Sequence, residues 1–155
     1  SAAAGAFLFG YVQDKLGHTR TIALTLLAYI VVIALMTTAS KTGITQFWIA
    51  ANLAGFAMGA CQSAGRALVG LLAPAPRRAE FFGLWGFAAK FSGILGPLAY
   101  GIANALSGGN HRASLLVVGV FFIAGLIMLL RVNVPNGLRA ALRETRVLEA
   151  VARTK

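Results

Sequence analysis

The chain has 155 residues, 58% of them hydrophobic and 12% charged, whereas a soluble globular domain carries about 45–50% and about 25%. Too few polar side chains remain to cover a water-soluble surface, which excludes an ordinary soluble domain and makes lipid the solvent. The formal net charge of +10 does not indicate nucleic acid, because the basic residues lie in short gaps between apolar runs or in the tail, with no stripe of interleaved aromatics.

The opening segment, Ala2–Val12, is apolar but reaches only about 16 Å at 1.5 Å per residue. It reads as the cut end of a helix (partial span, residues 1–13). Ser1 is no initiator and no basic stretch precedes the apolar one, so no signal peptide is visible and the chain reads as truncated at its N-terminus. A gap holding Asp14, Lys15, His18 and Arg20 follows. Four apolar stretches then meet the roughly 20 helical residues that a bilayer core requires, at about Thr21–Ala39, Gln46–Leu72, Phe81–Leu106 and Ser114–Val132. Runs of this length in lipid must bond their own backbone, so they are predicted to be helices; membrane strands would be about half as long. The expected fold class is an all-α polytopic membrane bundle over residues 1–135 with a basic tail over 136–155.

The gaps alternate in charge. Lys15 and Arg20 precede the first full span, Lys41 alone follows it, Arg77 and Arg78 come next, then Arg112 alone, then the arginines of the tail. The positive-inside rule places the Asp14, Arg77 and C-terminal sides in the cytoplasm, with a bacterial inner membrane as the expected location. In the tail, Leu138, Leu142, Leu148 and Val151 recur at roughly helical spacing among arginines. That pattern fits either a basic amphipathic helix on anionic lipid headgroups or a solvated disordered tail.

Glycine is frequent inside the spans. Gly55-x-x-x-Gly59 and the run Gly93, Gly96, Pro97, Gly101 are predicted small-residue packing faces, and Gly96–Pro97 is a candidate kink or pivot. Cys61, the single cysteine, permits no internal disulfide and reads as a small buried hydrophobe. Trp48 and Trp85 fit an interfacial belt, and Asn52, Asn104 and Gln46 fit interhelical hydrogen bonds. Lys90 lies some ten residues, about 15 Å, inside its span, near the midplane. A charge at that depth normally faces a cavity or a partner. No span holds an acid, since Asp14, Glu80, Glu144 and Glu149 are all peripheral. Its partner is then an absent half of the chain or an anionic substrate group, or the amine is neutral. In a hairpin folded about residue 76, Gln62 and Lys90 stand level, with Arg66 about four residues nearer the cytoplasm. The three are candidates for one polar substrate path; a structural ion pair for Lys90 and snorkelling or a gate contact for Arg66 are the alternatives.

Two resemblances add to this reading. The segment Gly10, Asp14, Lys15, Gly17, His18, Arg20 resembles the G-x-x-x-D-[RK]-x-G-[RK]-x-[RK] loop of the major facilitator superfamily, except that His18 stands where that family has Arg or Lys. The resemblance implies a cytoplasmic gate, in which Asp14 docks at a helix N-terminus or pairs with a cation. Gln62, Ser63, Arg66, Pro74, Ala79–Leu84, Lys90 and Gly96–Leu98 together look like the vacuolar-effluxer branch linked to autophagy, over roughly residues 5–137. It implies that the spans are the eighth, in part, through the twelfth of a transporter whose first half is the partner of this one, moving a small solute, with amino acids the best-known cargo.

Two histidines and four peripheral carboxylates offer no acid–base pair or metal site within the membrane, and no phosphate-binding loop is present. The chain is therefore expected to be no enzyme and to need no cofactor. The leading expectation is secondary active transport of a small molecule by alternating access. The alternatives are a membrane scaffold or accessory subunit, or a drug or sugar carrier of the same superfamily.

Overall fold

A computed structural model of the chain describes residues 1–38 and 43–153; the expected end of the first span at Ala39, the loop lysine Lys41 and the terminal Lys155 lie outside them. Six helices follow in order: α1 (Ala2–Leu16), α2 (His18–Thr38), α3 (Ile44–Leu72), α4 (Arg78–Leu106), α5 (His111–Leu130) and α6 (Val134–Arg153), with a short 3₁₀ turn at Ala75–Arg77 before α4. There is no strand among the described residues. Helices α2 to α5 are each long and apolar enough to cross a bilayer, which makes this an all-α polytopic membrane protein. Several ends run two or three residues beyond the apolar stretches, because a helix keeps bonding its own backbone into the polar zone where hydropathy has already fallen.

The turns follow from local chemistry. Gly17 closes α1 at φ 82°, its N–H donating to Gln13 O at 2.9 Å; that left-handed backbone suits glycine and lets α2 begin at the next residue. At the far end, Gly108 and Gly109 have φ 65° and 86°, and the Asn110 side chain caps α5 by accepting from Arg112 N and Ala113 N.

Successive spans reverse direction, so α1, α3 and α5 finish at one end of the bundle with Lys15, Arg77 and Arg131, here termed the basic end. The interior is made of small side chains: Ala50, Ala57, Ala60 and Ala64 of α3, Thr21 and Thr25 of α2, and Ser114 and Gly119 of α5 are buried. Lipid gives helices no hydrophobic drive to associate, so close backbone approach and dispersion must hold them. Buried hydroxyls turn inward to their own helix, Thr21 to Gly17 O at 3.0 Å and Thr25 to Ile22 O at 2.7 Å. Between α2 and α5, Tyr29 stacks on Phe122 at 4.6 Å and Ile33 fills the space beside Gly119.

Helix α4 differs from the rest: none of its residues is buried. Large side chains such as Leu84, Phe87 and Ile94 are left bare. Helix α6 packs under the basic end. Gly137 lies against Leu72, Ala141 is buried, Thr145 Oγ1 accepts from Ala75 N at 3.2 Å, and Arg77 bonds Glu144 at 3.0 Å. The tail is thus a docked helix, already begun at Val134, and not a solvated coil.

Candidate functional site

On α3, a face with Ile44, Trp48, Ala51, Met58, Gln62 and Arg66 at steps of three, four and seven is exposed, opposite the buried alanines. This face is apolar at the far end and becomes polar towards the basic end. There α1 and α3 border an open cleft of ≈ 570 Å³ lined by Ala6, Gly59, Gln62, Ser63, Arg66 and Ala67, within the size range of small-molecule sites. The small residues Ala6 and Gly59 make the room, and the three polar side chains supply the chemistry.

Arg66 lies six residues before the end of α3, about 9 Å inside it, and Gln62 about 15 Å inside. The guanidinium sits over the Trp85 ring of α4 at 5.3 Å from its centre, a cation–π contact that holds the fork in place. Gly65 admits the indole, whose nitrogen lies where a Cβ on Gly65 would be in ordinary contact. Neither Gln62, Ser63 nor Arg66 makes a side-chain hydrogen bond or ion pair among the described residues.

Lys90 stands apart from this cleft. It is exposed on α4, twelve residues after Arg78 and about 18 Å inside the helix, and it has no hydrogen bond or ion pair among the described residues. The structure therefore brings Gln62 and Arg66 together, joins Ser63 to them, and leaves Lys90 on a neighbouring open face. The glycines of α4 are open: a Cβ on Gly93, Gly96 or Gly101 would meet nothing within 4 Å. Helix α4 runs unbroken through Pro97. Gly55 and Gly59 have different surroundings, facing Ser1 and the backbone of Ala2.

The signature segment forms the α1–α2 corner. Gly10 is open, Asp14 is exposed and makes no ion pair among the described residues, Lys15 lies over the Tyr11 ring at 5.4 Å, and Arg20 projects from the first turn of α2. Beside it, Gln13 is buried with Oε1 unpartnered. Outside the spans at this end, Arg77 donates to Glu80 at 2.7 Å and to Glu144 at 3.0 Å. These bonds, Glu80 first, hold its pKa above the ordinary arginine value.

Three features of this region had not been singled out from the sequence as parts of a site: Ser63, Gln13, and the Trp85–Gly65 contact. Ser63 carried a usable signal, lying one helical turn from Gly59 and one residue from Gln62. Trp85 reads as an interfacial aromatic, and only the packing of α4 on α3 shows its ring beneath Arg66.

Among curated proteins, the chain is 31% identical over 84 residues to an uncharacterised MFS-type transporter, YxiO, of Bacillus subtilis (strain 168); the match covers 54% of this chain and 19% of that protein. The chain thus spans about a fifth of the length of the curated relative it matches. No solved structure matches. The profile of the vacuole effluxer Atg22-like family matches residues 1–142, nearly the whole chain and every element from α1 into α6, and the chain belongs to that family.

Proposed function

We propose that the chain forms one wall of a secondary transporter that moves a small solute across the membrane by alternating access, with the basic end in the cytoplasm. The observation that carries this reading is the placement of Gln62, Arg66 and Lys90 on the open faces of α3 and α4. A charge deep in a span is tolerated where it faces a cavity or a partner, and transporters hold their cargo near the midplane between two helical halves. The second half would cover the bare face of α4. The family's description as vacuole effluxers makes solute export the first direction to test, with amino acids the first cargo. No carboxylate lies within these spans, so a proton-coupled cycle would use Lys90 or a group on the other half. The exposed Arg139, Arg143 and Arg146 of α6 suit anionic headgroups of a bacterial inner membrane.

The full-length protein reconstituted in proteoliposomes tests this. Lys90→Ala is expected to abolish solute flux while leaving the thermal midpoint in detergent unchanged. Wild-type flux in that variant would remove Lys90 from the path. A protein that moves no amino acid, sugar or drug, and whose glycine-face variants lose co-purifying membrane partners, would instead be a scaffold.

A further inference from the structure

We infer that the cleft between α1 and α3 is an oxyanion site, so that the solute carried by this protein bears a carboxylate or phosphate group received by Arg66; this rests on the transport reading above. Four observations converge on it. Gln62, Ser63 and Arg66 line the same cleft, and all three can donate hydrogen bonds. None of them spends a donor within the described chain. The Arg66 guanidinium is held over the Trp85 ring, and a contact to a ring face uses none of its N–H donors in a conventional hydrogen bond. Finally, no acid lines the cleft: Glu80 is already bonded to Arg77, and Asp14 makes no ion pair among the described residues.

The chemistry of such a site is narrow. A planar guanidinium meets a carboxylate or a phosphate through two parallel N–H···O bonds, and an amide and a hydroxyl one turn away can take the remaining lone pairs. A cationic solute would meet Arg66 with no counter-charge among the residues that line the cleft. A solute with no anionic group would leave a poorly hydrated guanidinium unpaired. In the low dielectric of a membrane interior both mismatches cost far more than in water. An anion satisfies the donors and neutralises the charge together.

The test uses the full-length protein in detergent and in proteoliposomes, with succinate, inorganic phosphate and the uncharged analogue succinamide as probes. Succinate or phosphate, whichever class the site takes, is expected to raise the thermal midpoint and to be exchanged in counterflow, while succinamide does neither. Arg66→Gln should weaken the half-saturating anion concentration roughly 10–100-fold, the usual worth of a charged hydrogen-bonding group. Arg66→Lys should recover part of it, since a point charge replaces a fork. Arg143→Gln, on α6, should leave it unchanged. Where Arg66→Gln does not fold, the double variant Gln62→Leu/Ser63→Ala should show the same direction with a smaller loss. Protection by neither anion, or equal protection in the wild type and Arg66→Gln, overturns the inference. Lys90-dependent flux of a neutral solute that neither anion inhibits would leave transport standing and remove the anion. Anion protection without flux of any solute would keep the site and remove transport.

Discussion

Helices α3 and α4 are equal in length and similarly rich in glycine, yet their glycines have opposite surroundings. On α3, Gly59 is buried against the backbone of Ala2, and across that seam Gly5 of α1 is buried against the backbone of Phe56. On α4, Gly83, Gly86, Gly93, Gly96 and Gly101 face open space. The first set holds two helices together within this chain. The second leaves open positions along α4, among the bare side chains Phe87 and Ile94 and the exposed Lys90, with no neighbour among the described residues. Small residues at helical spacing therefore mark a surface that something approaches closely, and the structure separates the approach already made from the one still open.

The largest effect should come from breaking the made contact. A Cβ on Gly59 would run into the Ala2 carbonyl, and one on Gly5 into that of Phe56. Backbone cannot move aside as a side chain can, so Gly59→Val should cost at least the ~1–3 kcal/mol of an overpacked core and detach α1. Gly10→Ala is the control: it lies on α1 with Gly5, has open space around it, and should shift stability by no more than about 1 kcal/mol, upwards. Thermal midpoints of both variants in detergent decide the point. Equal midpoints would mean that the α1–α3 seam does not hold the bundle.

Pro97 sharpens the comparison from the other side. It sits inside a continuous α4, where its missing N–H leaves the Gly93 carbonyl without the usual helical donor. Pro97→Ala should restore that bond and raise the midpoint, by up to roughly 3 kcal/mol if the local backbone relaxes fully. Slower solute flux in the same variant would identify the weak point as one the working cycle bends; unchanged flux would make it a packing feature only. Gly93→Ala should be smaller still, worth about 1 kcal/mol or less in helix propensity. With no neighbour in this chain to strike, it should leave the fold intact. A loss of flux there, with folding preserved, is the signature of a face that another element approaches closely during transport.

These contrasts also show what a one-dimensional reading can reach. The four spans were legible because hydrocarbon imposes length and continuity on a helix, and Gly17 was legible as part of a turn because the charged signature surrounds it. Gly55-x-x-x-Gly59 and the Gly93–Gly101 run looked alike because spacing records the shape of a face and says nothing of who meets it. The level of Gln62 with Lys90 followed from counting residues about a hairpin, but counting fixes height and not azimuth. Gln62 turns towards α1 while Lys90 points off α4. The stacking of Arg66 on Trp85 and the burial of Gln13 depend on how helices rotate against one another, which side-chain packing sets. The tail leaves two readings open, an amphipathic helix on anionic headgroups and a solvated disordered tail, because its apolar spacing is only roughly helical. Its docking contacts include Arg77, Glu144 and Thr145, residues whose types are unremarkable on any surface.

The smallest expected effect concerns that docking. Arg77 bridges Glu80 and Glu144, and all three are solvent-exposed or partly so, a setting in which ion pairs contribute little. Leu72 against Gly137 and the Ala75–Thr145 hydrogen bond would remain if the bridge were cut. Arg77→Gln and Glu144→Gln should therefore each leave the midpoint nearly unchanged and modestly speed tryptic cleavage at Arg139, Arg143 and Arg146 of α6. High salt should do the same to the wild type and nothing further to the variants. The pH response has a definite sign. Arg77 titrates above its ordinary value in the folded protein, so its contribution is fully present below the unfolded-state pKa and is lost only as pH climbs through the raised one. Moving from neutral to mildly basic buffer should then leave cleavage unaltered. A wild-type rate that rises under those conditions would mean that some group other than Arg77 secures the helix.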